Sequence, residues 1–453
     1  MAHTAFHLPP EKAYLVFKYA VVAQCPLAVV ACWQLARDVA YSIYTATIAA
    51  LIVAVSPIFI LYSGQVMTDV PSLMLLALAL IIHLRGVRER KIWLILVGAV
   101  LLGVGVNVRE TVGFYAPWLI VAPFVCGWRF TWREMATTLL ACLIFLVFAF
   151  APFAYFFVTN TDGYRALWYG WRASMREESM RHPVSLRNLL PFIVYFFAVA
   201  PLVLVSLPLA IYKEWRARKA SVMLALAGVG LCANLLLFFN YSTSVNWRYF
   251  LTGFPALAPL TADYLVRAQT VKLKSVQRGF WSVVACILSV ALLCAIYLKP
   301  ISREHILKRA LTKGYKSRLA LVPDDAVMMS GAQTVAVTYW RGLGAGHWET
   351  IGTGGGWPGA EIASVVENYL RSGRRVFLDA DPRWWMPCGW QSGETREIVR
   401  LESRFRFRRV GDTIYEIKLP DDDNAHDKPD LQRLLPENRA SEMKKCGQFE
   451  RPI

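Results

Sequence analysis

Long apolar runs separated by short charged loops fill the chain from Tyr14 to Leu298, and a mixed polar pattern takes over from Lys299. A helix needs about 20 mostly apolar residues to cross a bilayer. That length predicts spans over 14–34, 41–60, 68–84, 92–107, 111–127, 137–158, 190–212, 220–239, 249–267 and 279–298. The fourth and fifth are joined tightly through Asn107-Val-Arg-Glu-Thr111. So many apolar runs in series do not make a soluble core. The expected fold class is mainly α: a polytopic transmembrane bundle of about ten helices over residues 1–298, followed by a small extracytoplasmic α/β domain over 299–420.

In that second part Asp325–Ser330 and Thr334–Thr338 read as short strand or helix pieces, and Arg375–Asp379 as a compact strand. Ile362, Val365, Val366, Tyr369 and Leu370 recur at helical spacing, with Gly373 placed as a C-cap. Phe405–Val410 and Thr413–Ile417 alternate around Gly411-Asp412, a hairpin signal. Residues 421–453 are charged and are expected to form a disordered tail.

Composition agrees with two solvents acting on one chain. Apolar residues make up 56% and charged residues 18%, against about 25% charge in an average soluble domain. The net charge of +17 lies largely in clusters between apolar runs, so it reads as a topology signal and not as a nucleic-acid surface. Alternate loops carry fifteen Lys and Arg against eight, most of the eight in one long loop. The richer set (Arg37, Arg85–Lys91, Arg129–Arg133, Lys213–Lys219, Arg267–Arg278) is therefore cytoplasmic, and both the N-terminus and the C-terminal domain lie outside. No ordinary signal peptide precedes the first span. An outside start without one leads to the expectation that an odd number of spans lies upstream of Met1. Seven of nine cysteines sit in or beside apolar runs, while Cys388 and Cys446 lie in the polar part; no CxxC or His/Cys cluster marks a zinc site.

Three residues on the outer side carry candidate chemistry. Asp69 opens a span after Ser56-Pro57 and Thr68; an acid there complements a helix N-terminus, and it also suits a divalent cation. Arg109 lies beside Glu110 in an outer turn, where it either pairs with a neighbour or holds a phosphate. Arg248 opens a later span in Asn246-Trp-Arg-Tyr-Phe. Two cations and an acid on one membrane face suit an anionic lipid. The loop 159–189, rich in Tyr, Trp and Arg, reads as an interfacial helix, either an anchor or a lid. The stretch Gly352–Gly359 lacks the strand–GxGxxG–helix frame of a dinucleotide loop, Asp379 and Asp381 read as a strand-end turn, and the histidines are scattered.

Together these positions resemble the GT-C type glycosyltransferases, in particular the bacterial relatives of protein O-mannosyltransferases and aminoarabinose transferases. The resemblance covers residues 7–298 and rests on His7-Leu-Pro-Pro10, on Ser56-Pro57 with Thr68-Asp69, and on Arg248-Tyr249 with Pro255. It implies a multi-pass protein of the cell membrane, expected to be a bacterial inner membrane. The implied reaction transfers a sugar from a polyprenyl-phosphate donor to a glycan, lipid or protein acceptor on the outer face. By the resemblance Asp69 is the second-loop acid of the site and the candidate metal ligand, Arg248 a donor-phosphate ligand, and Arg109 a further one. The family's first span and first-loop acid have no counterpart here, which leads to the expectation of a shortened chain, inactive as it stands. A multi-pass transporter and a non-catalytic membrane protein with an outer binding domain are the competing readings; no internal repeat or midplane charge favours transport.

Overall fold

The computed structural model describes residues 10–63, 68–129, 131–159, 161, 201–216, 221–240, 247–269, 314–331, 337, 340–341, 345–351, 362–385, 391–421, 427–435 and 438. The larger compact unit is drawn from Phe17–Thr161 and Arg181–Ile301; a smaller one takes in Ser302–Ile453. The loop 159–189 beyond Thr161, the span 279–298, the stretch Gly352–Gly359, Cys388 and Cys446 lie outside the described residues.

The larger unit is helical. Its described helices are α1 (Pro10–Ala40, in this unit from Phe17), α2 (Ile43–Ala54), α3 (Pro57–Ser63), α4 (Asp69–Glu89), α5 (Ile92–Val108), α6 (Trp118–Val125), α7 (Trp132–Thr159), α8 (Pro201–Arg216), α9 (Val222–Asn240) and α10 (Phe254–Gln269). Among them α4, α7 and residues Lys18–Ala40 of α1 are long and apolar enough to cross a membrane. Two predicted spans are built differently. The run 41–60 is divided between α2 and α3, because Pro57 has no N–H to continue the helix and sits well as a first helical residue. The run 111–127 is a 3-10 helix (Glu110–Tyr115) followed by the short α6, with Gly113, Pro117 and Pro123 placed along it where a continuous helix is weakest.

The α4–α5 hairpin organises the rest. Arg90 caps α4 in the left-handed conformation (φ +56°), and its N–H and that of Lys91 both bond the Gly86 carbonyl. Only Arg90 and Lys91 separate the helices, so they run antiparallel. They pack closely because Gly98 faces His83, whose backbone lies 2.8 Å from where a Cβ on Gly98 would stand. Leu73, Leu76, Leu80 and Leu84 of α4 and Ala99 and Leu102 of α5 are buried in the same core.

The loops assigned to one membrane side by their charge meet at one end of this unit. Arg85 grips the Asp38 carboxylate at 2.6 and 3.1 Å, Arg88 donates to the Asp38 carbonyl at 2.5 Å, and Arg90 pairs with Glu134 at 3.2 Å. Trp128 Nε1 donates to the Val87 carbonyl at 3.1 Å. Asp69, at the start of α4, therefore belongs to the opposite end.

The smaller unit holds a sheet of β1 (Val327–Met329), β2 (Glu349–Thr350), β3 (Val376–Asp379), β4 (Arg406–Arg409) and β5 (Ile414–Lys418). Among the described residues the order is β2-β1-β3-β5-β4, with β2, β1 and β3 parallel and β5 and β4 antiparallel. Alternate residues face two cores. Val327, Met329 and Leu378 pack with Ile362 and Val366 of α11 (Ile362–Arg371) and Ile398 of α12 (Gln391–Arg400). Met328 and Phe377 pack with Tyr315, Leu319 and Trp340. Helical residues thus cover both faces, as parallel strands require. Part of the expected tail is ordered: Asp427 bridges to Phe407, and Leu431 and Leu434 are fully buried, because this stretch supplies apolar side chains that the sheet needs.

Candidate functional site

Asp69 is in the first turn of α4 and Arg109 is the C-cap of α5. A two-residue link makes those two positions neighbours at one end of the hairpin. At 1.5 Å per residue α4 is about 30 Å long and α5 about 25 Å, and the long arginine side chain bridges the difference. Arg109 Nη1 donates to Asp69 Oδ1 in a short ion pair. Both side chains are buried, at 1% and 5% exposure. Ser72 Oγ donates to the Asp69 carbonyl at 2.8 Å, and the Arg109 N–H bonds the Gly105 carbonyl at 2.9 Å, so backbone on both sides of the pair is held. The neighbour expected for Arg109 was Glu110; the structure gives Asp69 instead, while Glu110 stands exposed.

Arg248 lies in the 3-10 helix Trp247–Gly253, and its side chain lies outside the described ones. The turn packs against α3, α4, α9 and the 3-10 helix Glu110–Tyr115. The buried Tyr115 hydroxyl donates to the Thr252 carbonyl at 2.6 Å and ties the two turns together. The structure thus joins Asp69 to Arg109 directly and brings the backbone that carries Arg248 to the same end of α4. Tyr115 and Asn107, which donates to the Phe148 carbonyl at 2.8 Å, support this end without having been singled out from the sequence.

Such a pair can hold or release an anion, since a guanidinium fork matches phosphate as well as carboxylate. A guanidinium takes one Asp69 oxygen, and among the described residues no three His, Cys, Asp or Glu side chains gather to hold an ion.

In the smaller unit Asp379 ends β3, completely buried. Arg318 donates to both its carboxylate oxygens, at 2.8 and 2.6 Å, and lies 3.4 Å from Asp381; the Asp381 N–H donates to Asp379 at 3.1 Å. Burial raises the Asp379 pKa against the opposing pull of Arg318. This is the carboxyl end of parallel strands where the order reverses between β1 and β3, a common ligand crevice. At its edge the backbone packs tightly: the Trp384 carbonyl lies 2.1 Å from where a Cβ on Gly331 would stand.

In fold this helical bundle is similar to the GT-C type glycosyltransferases. The family described as dolichyl-phosphate-mannose-protein mannosyltransferase matches residues 15–156. Two crystal structures of ArnT from Cupriavidus metallidurans, one in the apo state and one bound to undecaprenyl phosphate, match with TM-scores of 0.55 at 14% identity, over 88% of this chain and 83% of theirs. No curated protein sequence matches.

Proposed function

We propose that this protein is a membrane glycosyltransferase that transfers a sugar from a polyprenyl-phosphate donor to a glycan, lipid or protein acceptor at the outer face of a bacterial inner membrane. The observation that carries the reading is the buried Asp69–Arg109 pair, placed at the end of α4 onto which the Arg248 turn packs. The GT-C fold, shared with a protein crystallised with undecaprenyl phosphate, points to the same donor class.

In the proposed reaction Arg109 leaves Asp69 for the donor phosphate, and Arg248 adds a second cation. The acceptor oxygen bonds to the anomeric carbon, the carbon–oxygen bond to phosphate breaks, and polyprenyl phosphate leaves with its extra charge held by the arginines. The Asp69 carboxylate, released from Arg109, orients the acceptor and takes up the proton that the acceptor hydroxyl loses as its oxygen bonds to the anomeric carbon. A divalent cation at Asp69 would first need Arg109 moved away, and no step above uses one.

The test is retention of undecaprenyl phosphate by the purified full chain. Arg109→Met and Arg248→Met are each expected to weaken it about tenfold, the loss for one charge-assisted contact of about 1.4 kcal/mol. Unchanged retention in both variants would remove the donor site from this end of the bundle.

A further inference from the structure

Proline in a helix removes one N–H and leaves the carbonyl four residues earlier without its helical partner. In α7 that proline is Pro152 and that carbonyl belongs to Phe148. Hydrocarbon offers no water to satisfy such a group, so a neighbouring helix has to do it. The Asn107 side-chain amide of α5 does so at 2.8 Å, and shares its donors with the Gly103 carbonyl of its own helix at 3.1 Å. Approach is close because position 103 is glycine: a Cβ there would lie 2.7 Å from the Phe145 carbonyl and 2.9 Å from the Phe148 Cβ. Gly103 and Asn107 are one turn apart on one face of α5. They dock that face on the turn of α7 that Pro152 leaves open.

Asn107 lies two residues before Arg109, whose N–H closes the last turn of α5 on Gly105. We infer that Asn107 is a positioning residue, which fixes the last turn of α5 to the open carbonyl of α7 and so sets where the Arg109 guanidinium can reach. The inference rests on the reading of Arg109 as a donor-phosphate ligand. An amide suits this role: it carries two N–H donors, one for each carbonyl, and no charge that lipid would penalise.

The test uses the full chain in detergent, with undecaprenyl phosphate as probe and with Asn107→Ala, Pro152→Ala, the double variant and Arg109→Met compared. Asn107→Ala is expected to weaken the probe's binding about threefold to tenfold, the range for one interhelical hydrogen bond in a membrane. Pro152→Ala returns a helical N–H to the Phe148 carbonyl, so in that background the same Asn107→Ala change should alter neither binding nor melting temperature measurably. A purely structural asparagine would lower the melting temperature and leave binding unchanged. Loss of binding in Arg109→Met with full binding in Asn107→Ala overturns the positioning role alone. An equal effect of Asn107→Ala with and without Pro152 overturns the carbonyl as its target. Full binding in Arg109→Met overturns the donor-site reading itself, and the positioning role with it.

Discussion

Arg109 donates to the carboxylate of Asp69, a residue forty positions earlier, inside a unit where both side chains are almost wholly enclosed. Removing one member of a buried ion pair leaves a charge with no compensation, which costs about 3–5 kcal/mol, whereas an apolar pair of similar size is often neutral or better. Asp69→Asn and Arg109→Met should each lower the melting temperature of the purified protein, and Asp69→Leu combined with Arg109→Met should recover most of the loss. The recovered double variant should still fail to retain undecaprenyl phosphate. Thermal unfolding and lipid retention on the same four proteins check both halves.

Arg109 reaches Asp69 because α4 and α5 pack closely side by side, and Gly98 is one point of that close approach. A methyl group at position 98 would stand 2.7 to 2.8 Å from the Cβ, Cα and N of His83, mostly helix backbone that has nowhere to move. Overpacking of this kind costs about 1–3 kcal/mol. Gly98→Ala should destabilise the protein by that amount and weaken undecaprenyl phosphate retention, although residue 98 is well away from the end that carries Asp69. Gly127, which has open space around its Cβ position but a left-handed φ of +77°, provides the contrast. Gly127→Ala should cost stability through backbone strain alone and leave lipid retention as it is.

Much of this was legible in the apolar pattern. Runs of uniform hydrophobicity mark helices, and α4, α5 and α7 fall close to their predicted spans even though Pro152 interrupts the hydrogen bonding of α7. Charge counting separated the loops into two sets, and Arg85, Arg88 and Arg90 do meet Asp38 and Glu134 from the same set. The hairpin of β4 and β5 followed from alternation around Gly411-Asp412. Asp69 and Arg109 were each visible as polar residues at span ends, but their pairing was not, because it depends on the relative lengths and close packing of two helices. Asn107 was harder still: its role depends on a proline forty-five residues later in another helix.

Tyr115 is the tie between the turn after Arg109 and the turn that carries Arg248. Its hydroxyl is buried and donates to the Thr252 carbonyl at 2.6 Å. Tyr115→Phe keeps the ring and removes the donor, leaving a carbonyl without this partner at a cost of about 1–3 kcal/mol. The expected signature is local: amide exchange followed by mass spectrometry should speed up in peptides covering Trp247–Gly253 and stay unchanged in α4. Uniformly faster exchange throughout the helical unit would show that Tyr115 supports the whole bundle and not this junction.

Acidity should act on the smaller unit through Asp379, and its sign can be worked out. Burial raises the Asp379 pKa above the ordinary 3.8, even with Arg318 pulling it down. The folded unit therefore binds this proton at a higher pH than the unfolded chain does. Where the folded state holds more protons, stability falls as pH rises. Asp379 thus makes the unit less stable above its raised pKa than below the ordinary value. Arg318 limits that penalty through its two bonds of 2.8 and 2.6 Å. Arg318→Met removes the limit, so the Asp379 pKa rises further and the variant's deficit is greatest at neutral pH. It should shrink steadily as the pH is lowered and Asp379 takes up its proton. Exchange rates in a peptide covering Val376–Asp379, measured from pH 7 down to pH 4 with the intrinsic pH dependence of exchange divided out, check this. A deficit that stays constant over the range would mean that Arg318 contributes through packing and not through its charge on Asp379.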